Sequence, residues 1–153
     1  MSRSTFATID RSALKHNLAR VRERADGARV MAVVKADAYG HGLERCLPAL
    51  LGADMLAVAT MDEARAIRGL SPDVPVLLLE GVMSIDEIRA ARALGLEMVV
   101  HHPAQLDWLA RYPEAKIAAP HFLKPHPLFD SAVDAGLVRD LLADLAAEAG
   151  SHR

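Results

Sequence analysis

Cysteine is almost absent from this chain. Its single thiol, Cys46, excludes an internal disulfide and points to a reducing, cytoplasmic compartment. Long hydrophobic runs are lacking too. None approaches the length needed to cross a bilayer, and Met1-Ser2-Arg3-Ser4-Thr5 leads into no apolar signal segment. Charge of one sign is not in excess: the net charge is −2, with Arg and Glu interspersed. That balance excludes a basic stripe for nucleic acid and a like-charged tail, so neither nucleic acid nor membrane is expected as a partner. Metal chemistry finds little support. There is no Cys pair and no H-E-x-x-H helix, and adjacent residues such as His101 and His102 would point to opposite faces of a strand. No metal site is expected from these residues or from His121 and His126. Aromatics are only 4% of the chain, and aliphatic residues and alanine dominate, as in helix-rich α/β proteins.

What is present has a rhythm. The 153 residues suffice for one domain with a sizeable core. Apolar runs at Val30–Val34, Met55–Ala59, Val76–Leu79 and Leu96–Val100 recur roughly every 20 to 25 residues, with one helical pattern in each gap. The first helix aligns Leu14, Leu18, Val21 and Ala25 on one face. The next aligns Leu43, Leu47 and Leu50 or Leu51. Thr60-Met61-Asp62-Glu63 and Ser84-Ile85-Asp86-Glu87 read as capping boxes, which accounts for their acidic pairs without catalysis. Pro103 fits the first turn of a fourth helix carrying Leu106, Trp108 and Leu109. Such alternation predicts α/β architecture with a parallel sheet and right-handed crossovers. After Tyr112 the character changes. Pro113, Pro120, Pro125 and Pro127 crowd one segment, and an amphipathic helix is expected over Ala132–Ala149.

The candidate chemistry centres on Ala32-Val33-Val34-Lys35-Ala36-Asp37-Ala38-Tyr39-Gly40-His41-Gly42. Lys35 ends a β-branched run of the kind buried on both faces of a parallel sheet, just before a glycine-containing loop. Ligand sites of α/β folds collect at that end of the strands. A lysine in a partly desolvated pocket becomes a nucleophile toward carbonyls. Asp37 and His41 read as residues that organise the loop, Gly40 and Gly42 as points where the backbone turns closely, and Cys46 as a small core residue.

The pattern V-x-K-A-D-A-Y-G-H-G resembles the pyridoxal-phosphate attachment site of the alanine racemase family. The resemblance extends to Ala7-Thr8-Ile9-Asp10-Arg11-Ser12-Ala13-Leu14 with His16-Asn17-Leu18, and to Leu77-Leu78-Leu79-Glu80-Gly81. It spans residues 5–112 and implies the first half of a TIM-type (β/α)8 barrel, incomplete because a whole barrel needs about 250 residues. The expected organisation is a partial cofactor-binding barrel over 1–112 and an unmatched segment over 113–153. The resemblance also implies an L-alanine/D-alanine racemase that supplies D-alanine to peptidoglycan and uses pyridoxal 5'-phosphate. In it Lys35 binds the cofactor and acts as the base on one face, and Tyr39 bonds the phosphate. Homodimerisation would follow through the family's interface.

The family's opposite-face tyrosine, its pyridine-facing arginine and its K-x-D-T-G-M strand have no match here. Lys124 is followed by Pro125-His126-Pro127 instead. The chain is therefore expected to be an incomplete racemase. The alternatives are a cofactor-binding protein without turnover and an inactive remnant.

Overall fold

The computed structural model of this chain describes residues 7–112. The order of elements is α1 (Arg11–Arg24), β1 (Met31–Val33), α2 (Lys35–Tyr39), α3 (Leu43–Leu50), β2 (Met55–Val58), α4 (Met61–Leu70), β3 (Val76–Leu78), α5 (Ile85–Ala93), β4 (Glu97–Met98) and α6 (Pro103–Ala110). The four strands form one parallel sheet in the order β1-β2-β3-β4. Ala57 pairs with Val33 on one side and Leu77 on the other, and Leu77 pairs in turn with Glu97. Each neighbour in space is thus the next strand in sequence, the arrangement of successive βα units around a barrel wall. Residues 113–153, with the expected Pro-rich segment and final helix, lie outside the described residues.

Strand alternation divides the core in two. Val34, Leu56, Val58, Val76, Leu78 and Met98 face the helices, where they meet Leu47, Ile67, Ile88 and Leu109. Met55, Ala57 and Leu77 form a smaller cluster on the other face, bordered by Met31, Leu79 and Val99. Leu56, Ile67, Leu77, Leu78 and Ile88 are fully buried, each worth about 1.5–3 kcal/mol of apolar transfer.

The central strands β2 and β3 are buried at every residue, as their continuous apolar runs predict. β1 departs from that expectation: Met31 and Ala32 are half-buried and Val33 is exposed. The reason is position, since β1 is an edge of this sheet with a partner on one side only. The same edge explains α1, which buries no residue completely. Leu14, Leu18 and Ala25 are half-covered, and Val21 is exposed.

The lower ends of the strands are closed by two polar clasps. Arg22 on α1 reaches the Gly52 carbonyl and Asp54, and Asp54 accepts from the Val30 amide at 2.7 Å. Arg68 on α4 donates to the carbonyls of Leu94 at 2.7 Å and Val74 at 2.6 Å. The Arg68 contacts satisfy partly buried loop carbonyls that would otherwise be left bare. The two clasps leave the opposite, C-terminal ends of the strands to the loops that begin at Lys35, Ala59, Leu79 and Val99.

Candidate functional site

Three of those upper loops are organised by helix caps. Thr60 accepts from the Glu63 amide while Glu63 Oε2 accepts from the Thr60 amide at 3.1 Å, so the expected box at the start of α4 is complete. The box expected at Ser84 is half formed. Ser84 Oγ accepts from the Glu87 amide, but Glu87 Oε2 reaches past it to the Met83 amide at 2.6 Å. Before α6, His102 Nδ1 accepts from the Ala104 amide at 3.1 Å, and Pro103 occupies the first turn.

Gln105 ties two of these loops together. Its amide oxygen accepts from the backbone of His101 and His102, and its Nε2 donates to the Glu80 and Val82 carbonyls. Only 3% of this residue is exposed. Sequence reading missed it because a glutamine on a surface helix resembles a solvent-facing residue. Its one sequence signal is its place three residues after His102, where a capping partner belongs.

At the first loop the chain does something the sequence does not announce. Val34 donates to the Ala57 carbonyl at 2.8 Å and then leaves the strand at φ −127°, ψ 21°. From Ala36 to Tyr39 four consecutive residues take positive φ, at 51°, 53°, 53° and 56°. They form one left-handed helical turn where a glycine-dependent loop was expected. For L-residues each such conformation costs about 1–2 kcal/mol, and alanine gains nothing from it. Gly40 and Gly42 continue the positive φ, at 79° and 90°.

The turn persists because side chains and backbone over-determine it. Asp37 Oδ1 accepts from the Leu43 amide at 2.7 Å and so caps α3, while the Asp37 carbonyl accepts from Gly42 at 2.9 Å. The His41 ring Nδ1 lies 2.9 Å from the Ala38 carbonyl, a hydrogen bond when that nitrogen carries the proton. Both residues organise the loop, as their sequence positions suggested. From outside the turn, Glu63 Oε1 accepts from the Ala36 amide at 2.7 Å. Burial of the Glu63 carboxyl pushes its pKa up, but the Ala36, Ala59 and Thr60 amides outweigh this and hold it below the ordinary carboxylate value.

Lys35 stands between the strand end and this turn. It is half-buried, and among the described residues its ammonium has no hydrogen bond or ion pair. Tyr39 closes the turn with 59% of its surface exposed, and its hydroxyl likewise meets no partner among those residues. The other tyrosine, Tyr112, lies beyond α6. Its hydroxyl accepts from Arg89 Nε at 2.9 Å, and the guanidinium sits 5.4 Å from its ring centre. It is thus engaged on the helical layer, away from Lys35. A cavity of about 540 Å³ lies beside the turn, between α1 and β1, and is lined mainly by apolar groups such as Ile9, Leu14, Val34 and Leu50. Cys46, 3% exposed, belongs to the core and lines this cavity. Among the described residues, no group of three or more His, Cys, Asp or Glu side chains is placed to hold a metal ion. Nor is any helix there long and apolar enough to cross a membrane.

A primary amine without a partner among the described residues, at the C-terminal end of a parallel strand and ahead of a locked turn that ends in Tyr39, is able to condense with a carbonyl group. The alanine racemase N-terminal domain model matches residues 9–124, beyond Tyr112. Alanine racemase of Leptothrix cholodnii is 48% identical over 126 residues, covering 81% of this chain and 33% of that protein. Alanine racemase of Nitrosococcus oceani is 51% identical over 105 residues, covering 69% of this chain and 30% of its own.

The solved structure of the Acinetobacter baumannii alanine racemase superposes with a TM-score of 0.68 at 44% identity, covering 70% of this chain and 30% of that one. The Bartonella henselae alanine racemase, solved with covalently bound pyridoxal phosphate, gives 0.62 at 29% identity, covering 69% and 31%. The chain therefore spans about a third of the length of these relatives. Its four βα units, its lysine loop and these matches agree: the chain belongs to the alanine racemase family, matching its N-terminal domain.

Proposed function

We propose that this chain holds pyridoxal phosphate on Lys35 and serves a racemase that interconverts L- and D-alanine. The observation that carries the reading is Lys35 itself: a half-buried residue whose amine is free of any partner among the described residues, set at the C-terminal end of β1 beside a locked turn. The donor set fits the aldehyde end of this cofactor, because a primary amine is the group that condenses with an aldehyde. The turn fits as well. Among the described residues nothing lies within 4 Å of where a Gly40 side chain would begin, so its backbone can approach a bound phosphate closely.

When bound, the cofactor supplies an electron sink for the carbon that loses its proton. The protein's part is binding and proton handling. Lys35 would hold the cofactor on its amine, and as a free amine it would carry the α-proton to and from one face on its nitrogen. Tyr39 would donate its exposed hydroxyl to a phosphate oxygen. Asp37, His41 and the carboxylate of Glu63 keep the turn from relaxing to right-handed geometry. Delivery from the opposite face calls for a group beyond residues 7–112, since Tyr112 is bound to Arg89. D-alanine supply to peptidoglycan, a cytoplasmic site and a homodimer complete the same reading.

The test is borohydride reduction of the protein mixed with pyridoxal phosphate, followed by peptide mass analysis. A phosphopyridoxyl group on Lys35 is expected. Modification of Lys15, Lys116 or Lys124 with Lys35 untouched would overturn the assignment.

A further inference from the structure

The carboxylate of Glu63 does more than a helix cap requires. A capping box needs one oxygen on the Thr60 amide, and Oε2 supplies this at 3.1 Å together with the Ala59 amide at 2.9 Å. The other oxygen turns away from its own helix and accepts from the Ala36 amide at 2.7 Å, 27 residues back along the chain. That amide is the one directly after Lys35, and Ala36 is the first residue at which the backbone reverses hand. Four successive left-handed residues cannot rest on local preference, since three of them are Ala or Asp and the last is Tyr. Strained backbone of this kind persists only where surrounding contacts over-determine it. The downstream end is held by Asp37 on Leu43. Glu63 is the only side chain among the described residues that bonds the upstream end.

We propose that Glu63 is a positioning residue for Lys35. One carboxylate bridges the C-terminal ends of β1 and β2 and fixes the peptide unit that follows the lysine, so that the amine is presented at a constant place. The inference rests on Lys35 being the attachment point, and adds which residue sets its position. Because both oxygens are acceptors only, a carboxylate serves all three amides at once. A glutamine must turn its NH2 group toward an amide N–H on one side. An aspartate is one methylene shorter and gives up Ala36, while the Thr60 hydroxyl still caps the helix through the backbone amide of residue 63.

The experiment compares the wild-type chain with Glu63→Gln and Glu63→Asp. Three quantities are read in each: helical circular dichroism, deuterium exchange of the Ala36 amide, and the rate at which added pyridoxal phosphate becomes borohydride-fixed on Lys35. Lys15, exposed on α1, serves as the internal control. The expected result is unchanged helicity, Ala36 exchange faster by about tenfold, and Lys35 fixation slower by about tenfold. That is the factor one charge-assisted hydrogen bond commands. Lys15 should be fixed at the wild-type rate.

Lys35 fixation within twofold of wild type in both variants would overturn the proposal while leaving the attachment site intact. Parallel slowing at Lys15 and Lys35 would assign Glu63 a merely structural role and overturn it too. Wild-type protein fixed elsewhere than Lys35 would remove the reading on which the proposal stands. Should Glu63→Gln fail to fold, Glu63→Asp decides, because its cap is preserved.

Discussion

Three glycines allow the structure to be tested by one chemical change, the addition of a methyl group. Gly81 follows β3 at φ +66°, and a Cβ built there would lie 2.3 Å from the Val99 carbonyl oxygen and 2.7 Å from Gln105 Nε2. Left-handed strain alone costs an alanine about 1–2 kcal/mol. The collision adds to it, because a backbone oxygen cannot rotate away as a side chain can. The end of β4 would have to move, putting at risk the Val99 amide bond to the Leu78 carbonyl and the Gln105 bond to Val82. Exposing or orphaning those groups costs about 0.5–3 kcal/mol, so Gly81→Ala is expected to lose about 2–5 kcal/mol in all.

Gly40, at φ +79° with nothing within 4 Å among the described residues, should show the strain alone, about 1–2 kcal/mol. Gly69 lies inside α4 with no neighbour among the described residues near its missing Cβ, so Gly69→Ala should stabilise by about 0.5–1 kcal/mol. Urea unfolding followed by circular dichroism under one set of conditions gives all three. The expected order of stability is Gly69→Ala, wild type, Gly40→Ala, Gly81→Ala. A Gly81→Ala protein within about 0.5 kcal/mol of wild type would refute the close approach of the β3–α5 turn to the end of β4.

Tyr39→Phe should weaken retention of pyridoxal phosphate by about 1.5–3 kcal/mol, the value of one hydrogen bond to a charged group. Equilibrium dialysis checks this, and unchanged affinity would remove Tyr39 from the phosphate site. Asp54 has its carboxyl held below the ordinary value of 3.8 by the Val30 amide first and by Arg22 second. Its folded-state pKa being the lower one, its contribution is fully present above the unfolded value and disappears as pH falls through the folded value. Asp54→Asn should therefore flatten the acid side of the stability–pH curve below about pH 4, as acid titration of ellipticity would show. Loaded with cofactor, the 153-residue chain should turn over alanine about 10²–10⁴-fold more slowly than a full-length relative, the usual cost of a missing general acid or base. A coupled D-alanine assay measures the difference, and turnover equal to the relative's would mean that a second acid/base is present after all.

How much of this was legible in the sequence depended on where the deciding energy lies. β2 and β3 were legible because burial on both faces demands an uninterrupted apolar run, and Met55–Ala59 and Val76–Leu79 supply it. Val30–Val34 looks the same, yet β1 is half-exposed. An apolar run records what a strand can bury, and says nothing of whether a neighbour stands on each side. Caps were legible because their bonds span three residues. Even so, Glu87 chose the Met83 amide over the expected one, a difference of one residue that no pattern encodes.

The lysine loop divides along the same line. Lys35 and Tyr39 are visible as a motif. The hand of the turn between them is not, because no residue from Ala36 to Tyr39 favours positive φ strongly enough to announce it. What holds the turn comes partly from Asp37, which reaches Leu43, and partly from Glu63 on another helix. In sequence Glu63 was fully explained as a cap, and half of its carboxylate was indeed so engaged. A side chain whose local role is already accounted for conceals its second, long-range bond from any reading of the sequence. That second bond is the one that reaches the residue following the lysine.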